Sequence, residues 1–267
     1  MSKKFLGATS LVLDSLLAFT GCQKKTEQQN ETQEEANAEE STNTPDVVTE
    51  KVNKVSDIHV TIDDSTDEKM YESLHKMVRQ YANLTSFKRV SVKTGASTDR
   101  QEIIYTGSYY YSNDNGSETY YVLQANNTWR KYYENDYGRK LYVENAILPE
   151  IVPFNSVDVV AKYSTKEEAL KLEHTFGSSP APEGSSITLT FSKNSLNDNV
   201  ATLVVHIGES GPVVTGTMIF NENGLINGVT VEIVNEAHPE YNSNTTYTYS
   251  DVVATDIVTD FSEYHAH

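Results

Sequence analysis

The sequence predicts an α+β domain in which helices cover one face of an antiparallel sheet. Two observations favour this class: one amphipathic helix near the start of the domain, and many short segments after it in which apolar and polar residues alternate. A third observation excludes a parallel α/β fold, because strands and helices do not alternate regularly along the chain.

The clearest element is an amphipathic helix that follows a short strand at residues 58–62. The segment from Ser65 to Glu68 has capping-box spacing, in which the Ser65 hydroxyl accepts from the Glu68 amide and the Glu68 carboxylate reaches back. Apolar residues then recur at helical spacing and predict a core-facing side. They are Met70, Leu74, Met77, Val78 and Tyr81.

After the helix the periodicity changes to two. The sequence predicts strands at residues 87–93, 101–105, 108–112, 118–124, 128–133 and 141–143. The turn at residues 113–116, Asn-Asp-Asn-Gly, contains residues that tolerate positive φ. It therefore predicts an antiparallel hairpin between residues 109–111 and 120–122.

The second half of the domain begins with a short helical insert at residues 165–172 and a loop at residues 177–184. Further strands are predicted at residues 187–191, 201–207, 213–220, 229–234 and 246–249. The turn at residues 221–224, Asn-Glu-Asn-Gly, closes a second hairpin.

Charge and cysteine content exclude several classes of protein. The 267 residues include 38 acidic and 21 basic side chains, and the net charge is −17, so binding to nucleic-acid phosphates is not expected. The single cysteine, Cys22, excludes an intramolecular disulfide framework and a multi-cysteine metal site.

The first 22 residues have the features of an export signal. Lys3 and Lys4 precede a mainly apolar run at residues 5–19, and the residues from Ala18 to Cys22 resemble the lipobox of bacterial lipoproteins, with Phe19 where that family usually has Leu. The resemblance implies a diacylglyceryl group and palmitate-type acyl chains on Cys22, and a lipid-anchored position on the extracytoplasmic face of the cell membrane. The alternative is an ordinary secretory signal in which Cys22 has no role.

Composition divides the chain into three parts. Residues 1–21 form the predicted signal peptide, and residues 22–57 form a predicted disordered acidic tether that lacks aromatic residues and is rich in Glu, Gln, Asn and Thr. Residues 58–267 form the predicted antiparallel α+β domain.

The domain also resembles the half-barrel superfamily of LolA-like periplasmic carriers and mycobacterial glycolipid-binding lipoproteins. The resemblance rests on the helix leading into a long meander, on the aromatic segment at residues 127–132, and on the strand at 229–234 followed by residues 247–252. It implies a curved sheet, a half-barrel, that binds or carries a lipid or another apolar ligand. Candidate ligand-binding residues are Leu74, Met77, Trp129, Phe191 and Ile219.

No pattern in the sequence predicts catalysis. The histidines do not have metal-site spacing, Gly208-Glu209-Ser210-Gly211 is not a nucleophile elbow, and the turns at residues 113–116 and 221–224 fail the calcium-loop pattern. We therefore expect no enzyme activity, no cofactor, no metal and no catalytic residue. The alternative is a hydrolase with carboxylate chemistry, which would require an acidic cleft with at least one carboxyl whose pKa is raised by burial.

The tyrosine content of the predicted strands between residues 105 and 142 supports a second hypothesis. Ten of the 38 residues from Tyr105 to Tyr142 are tyrosine, a good strand residue that also offers amphipathic contact area. The alternative to a carrier is thus a surface module that recognises protein or cell-wall glycan through exposed tyrosines. The alternation places Tyr109 and Tyr111 on one face and Tyr110 on the other.

Overall fold

A computed structural model describes residues 52–151, 158–176 and 179–267. The predicted signal peptide, Cys22 and the predicted tether up to residue 51 lie outside the described residues. None of the described helices is both long enough and apolar enough to cross a membrane.

The described residues build one sheet of twelve strands. The order across the sheet is β12-β6-β5-β4-β3-β2-β1-β11-β10-β9-β8-β7, and every pair is antiparallel except β12 with β6. The prediction of a large antiparallel sheet is confirmed. The strands are β1 Phe87–Gly95, β2 Asp99–Tyr105, β3 Tyr109–Asp114, β4 Ser117–Leu123, β5 Trp129–Glu134, β6 Lys140–Ala146, β7 Ser186–Lys193, β8 Asn199–His206, β9 Val213–Phe220, β10 Ile226–Val234, β11 Ser243–Ser250 and β12 His265–Ala266.

Two meanders join side by side to make this sheet. Strands β1 to β6 each pair with the next, strands β7 to β11 do the same, and β1 pairs with β11 over eight positions. The predicted first hairpin is confirmed, because Tyr111 pairs with Tyr120 across a turn in which Asn115 and Gly116 have positive φ.

Helix α1 (Asp67–Ala82) covers one half of one face of the sheet, which we call the helix face. Its N-cap is Thr66, whose Oγ1 accepts from the Lys69 amide, whereas the Ser65 hydroxyl donates to Asp63 at 2.6 Å. The predicted cap at Ser65 is therefore wrong by one residue. The apolar side of α1 packs on residues from β1, β2 and β7 to β11, and all five predicted core residues are buried.

The folded unit begins earlier than the composition predicts. Val52, Val55 and Ile58 are buried in the core under α1, and residues Val55–Asp57 form a 3-10 helix. The predicted strand at residues 58–62 does not join the sheet. Its Val60 and Ile62 amides instead donate to carbonyls in the turn between β9 and β10, so the turn holds this segment in place.

The helical insert contains three short helices, whereas the sequence predicted one. It consists of α2 (Asp158–Lys162), α3 (Lys166–Ala169) and α4 (Leu172–Phe176). The chain turns between α3 and α4, and this turn allows both Ala169 and Phe176 to be buried.

The chain ends as a segment that crosses the opposite face of the sheet. We call residues 251–267 the strap and this side the strap face. Ile257, Phe261 and Tyr264 of the strap pack on the tyrosines of β3 to β6. The two halves of the sheet are thus covered on opposite faces, one by α1 and the other by the strap.

Candidate functional site: an aromatic platform on the sheet

The predicted ligand-binding residues divide into three groups. Leu74 and Met77 are 1% and 0% exposed beneath α1, and Phe191 of β7 packs at the edge of the same core. Ile219 lies between Met218 and Phe220, which face α1, so strand alternation directs Ile219 to the opposite face. Trp129 belongs to β5 in the other half of the sheet.

The core beneath α1 contains a small void. It measures about 20 Å³ and is bounded by Leu74 on α1 and by Leu189, Ala201, Leu203, Gly216, Thr217, Met218 and Val229 on the sheet. This volume accommodates about one water molecule, and its lining is almost entirely apolar. In the described conformation, the void is therefore much smaller than an acyl chain.

A different cluster lies on the helix face beyond α1. Tyr110, Tyr121 and Lys131 lie side by side on β3, β4 and β5 in register, and Trp129 and Tyr133 flank Lys131 on the same face. We call these five residues the aromatic platform. None of them belongs to the hydrophobic cluster beneath α1.

Contacts within the aromatic platform order the side chains. Lys131 Nζ lies 4.9 Å from the ring centroid of Tyr133 and 5.9 Å from that of Tyr121, within the range of cation–π attraction. The rings of Tyr110 and Tyr121 pack edge to face at a centroid distance of 5.6 Å. Tyr110 is buried, and the other four residues are half-buried, so part of each remains open to a ligand.

Two phenols of the aromatic platform, those of Tyr110 and Tyr121, stay neutral over the physiological range. Burial raises the pKa of Tyr110 and of Tyr121 above the ordinary value. Neutral phenols both donate and accept hydrogen bonds, and Lys131 adds a cationic donor. The cluster thus combines flat apolar rings with polar groups at their rims.

The tyrosines on the strap face have a different role. Tyr120 and Tyr132 are buried, and Phe261 of the strap stacks on Tyr132 at a centroid distance of 4.1 Å. Glu118 Oε2 accepts from the Tyr120 hydroxyl at 2.7 Å, and Glu118 Oε1 accepts from Tyr111 at 2.9 Å. Burial, with the Glu118 hydrogen bond, raises the pKa of Tyr120. These rings form a second small core.

One polar cluster was missed by the sequence analysis. His174 Nδ1 lies 2.8 Å from the Tyr163 hydroxyl, and His174 Nε2 lies 2.9 Å from Glu168 Oε1. The Tyr71 hydroxyl donates to the carbonyl of Tyr163 at 2.7 Å. The cluster ties the short helices of the insert to each other and to α1. Its members are irregularly spaced, so no sequence pattern indicated it.

Metal binding has no support in the described part of the chain. Among those residues, no group of three or more His, Cys, Asp or Glu side chains is placed to hold a metal ion. His265 lies in β12, which pairs with β6, and the His267 amide donates to the Tyr142 carbonyl at 3.1 Å.

Comparison with known proteins gives no further assignment. No protein-family model matches the chain, and no curated protein matches its sequence.

Proposed function

We propose that this chain is a membrane-anchored recognition module on the extracytoplasmic face of the cell membrane, and that its aromatic platform binds cell-wall glycan. We base this proposal on the positions of Tyr121, Trp129 and Tyr133. These rings lie together on the helix face, outside the core beneath α1, with Lys131 between them.

The chemistry of the aromatic platform supports a carbohydrate ligand. Aromatic rings offer broad apolar contact area for the C–H faces of sugars, while phenol and ammonium groups form hydrogen bonds with sugar hydroxyls. The platform lies on a sheet surface, and an extended polymer fits such a surface better than a small molecule, which binds in a deep cleft. The net charge of −17 disfavours a polyanionic polymer, so we propose a neutral or weakly charged glycan.

A binding assay with purified insoluble peptidoglycan tests this proposal. Replacement of both Tyr121 and Tyr133 by Ala should weaken binding about tenfold or more, since each stacking contact contributes roughly 1 kcal/mol. The matched control replaces Tyr137 in the β5–β6 turn and Tyr241 between β10 and β11, which are 86% and 58% exposed and are not part of the aromatic platform. Absence of wild-type binding, or equal weakening in both pairs, contradicts the proposal.

Membrane attachment is supported by the lipobox-like segment that ends at Cys22. Acyl chains on this cysteine would hold the protein at the membrane surface, because each buried methylene contributes about 0.8 kcal/mol. Metabolic labelling of expressing bacteria with a palmitate analogue should label the wild-type chain and not the Cys22→Ser variant. Label that persists in the variant, or no label in the wild type, contradicts the anchor.

A second candidate function is transport of a lipid or another apolar ligand in a half-barrel. The apolar void between α1 and strands β7 to β10 favours it, since this is where the resemblance to LolA-like carriers implies a ligand. Under this proposal the sheet is curved and α1 moves outward to enlarge the void. Mass spectrometry of an organic extract of the purified protein tests this function. Stoichiometric non-covalent lipid that is lost in a Gly216→Val variant supports a carrier. An extract without lipid contradicts it.

A further inference from the structure

The outer strand of the second meander, β7, has an open edge. Among the described residues, β7 pairs with β8 on one side and with no strand on the other. It pairs with β8 residue for residue over eight positions without a bulge. A regular strand at a sheet edge presents unpaired backbone N–H and C=O groups that can pair with another strand.

The opposite edge of the same sheet is protected. Strand β12 at the end of the strap lies along β6 and pairs through His265 and Ala266. Lys140 of β6 forms an ion pair with Glu263 of the strap, and the register of β5 with β6 shifts after Trp129. Coverage, charge and irregularity are the usual means by which proteins block edge pairing.

The interior of β7 has no charged residue and no bulge of its own, and the Lys166 ammonium lies 5.3 Å from the Phe191 ring centroid. Residues 187–192, Ile-Thr-Leu-Thr-Phe-Ser, contain no charged residue, no proline and no glycine. Thr188 and Thr190 are exposed on the strap face, while Leu189 is buried on the helix face. Lys193, the only charged residue of β7, is at the end of the strand and forms an ion pair with Asp64 at 2.8 Å.

We propose that β7 pairs antiparallel with β7 of a second copy of the chain, around a two-fold axis at Leu189. Directly opposed residues in an antiparallel pair lie on the same face. In this register Leu189 opposes Leu189, Ile187 opposes Phe191, and Thr188 opposes Thr190. The strand is therefore complementary to itself, with apolar pairs on the helix face and threonine pairs on the strap face.

The sequence of β7 favours a second copy over an unrelated partner. The aromatic–β-branched pair and the Thr–Thr pair are among the favourable cross-strand pairs, and the two-fold axis forms each of them twice. The neighbouring register, with its axis at Thr190, is worse because it opposes Ile187 to Lys193. A single edge strand buries less area than a standard protein interface, so the dimer should be weak and concentration-dependent.

Cysteine cross-linking tests the register. In the full-length chain with Cys22→Ser, solubilised in detergent, an equal mixture of the Thr188→Cys and Thr190→Cys variants should give a disulfide-linked dimer with one chain of each. Each variant alone should cross-link little, because identical positions are then diagonal to each other. Cross-linking of Thr190→Cys alone identifies the other register and overturns this one.

Sedimentation of the same full-length chain tests the association itself. The mass of the wild type should rise towards the dimer with concentration, whereas Thr190→Lys should remain a monomer with an unchanged melting temperature. The lysine lowers the net negative charge of the chain, so loss of the dimer cannot be attributed to general repulsion. The control is Thr246→Lys, an exposed threonine on the strap face of β11, which should still dimerise. A wild type that is monomeric at every concentration, or a Thr190→Lys variant that dimerises equally, overturns the proposal.

Discussion

Gly216 is the residue that leaves the void beneath α1. It lies in β9 on the helix face, and a Cβ atom built on it would have its nearest neighbours, the carbonyl O and Cβ of Leu203, at 3.9 and 4.0 Å. Its φ is not positive, so the backbone does not require glycine there. The void therefore results from a missing methyl group rather than from a poorly packed sheet.

Replacement of Gly216 by Ala should stabilise the protein by about 0.5–1 kcal/mol, because it fills part of the void and restricts the unfolded chain. Urea denaturation of the two proteins measures the difference. The control is Gly95→Ala, which should destabilise, since Gly95 has φ +116° and its Cβ would approach the Asn242 carbonyl oxygen closely. A destabilised Gly216→Ala variant would mean that the methyl group does not fit the void and would contradict this explanation of it.

At the scale of elements, the strap is the feature that the sequence did not reveal. Its apolar residues Ile257, Phe261 and Tyr264 have the i, i+4, i+7 spacing that is typical of a helix, but the strap contains only a 3-10 helix and the two-residue strand β12. The strap is nevertheless fixed at several points. Asp256 Oδ1 lies 2.7 Å from Lys88 Nζ, and the Val258 amide donates to the Tyr109 hydroxyl.

Loss of the Phe261 ring should loosen the strap. Phe261 contacts the rings of Tyr120, Tyr132 and Tyr264, so Phe261→Ala should cost about 2 kcal/mol, less than for a fully buried phenylalanine. It should also raise amide hydrogen exchange in β4 to β6 and not beneath α1. Val258→Ala, at a side chain that is 40% exposed, is the control. Unchanged exchange in β4 to β6 would mean that the strap does not protect the second core.

Local elements were predicted well because their signals are local. The periodicity identified α1, the asparagine-glycine turn fixed the register of β3 with β4, and the alternation assigned Tyr110 and Tyr111 to opposite faces. The pairing of β1 with β11 was not predicted, since it joins strands about 150 residues apart in the chain. For the same reason the sequence grouped Trp129 with Leu74, although Leu74 on α1 packs against one half of the sheet and Trp129 belongs to the other half.

For the whole molecule, buried tyrosines make the free energy of unfolding depend on pH in the alkaline range. Burial raises the pKa of both Tyr71 and Tyr81 to about 12, and the hydroxyl of Tyr81 also accepts from the Ile226 amide. In the unfolded chain the phenol pKa is about 10. Because the phenol pKa is higher in the folded than in the unfolded chain, these tyrosines contribute their full stabilisation below pH 10. This contribution is lost as the pH rises towards 12.

We therefore expect the free energy of unfolding to fall between about pH 10 and pH 12. Titration followed by phenolate absorbance, together with circular dichroism, should show a late group of tyrosines that ionises with unfolding. The Tyr81→Phe variant should have a shallower decline above pH 10, although it is less stable at neutral pH because the Ile226 amide loses its acceptor. A slope that is unchanged in this variant would exclude Tyr81 as a contributor.

The fluorescence of Trp129 tests directly whether the aromatic platform is the binding surface. Trp129 is the only tryptophan in the chain, so its emission reports on the platform alone. Titration with soluble peptidoglycan fragments should shift this emission saturably in the wild type and in Tyr137→Ala, and not in the Tyr121→Ala/Tyr133→Ala variant. An emission spectrum that stays constant in the wild type while the fragments bind would place the ligand elsewhere and contradict the account.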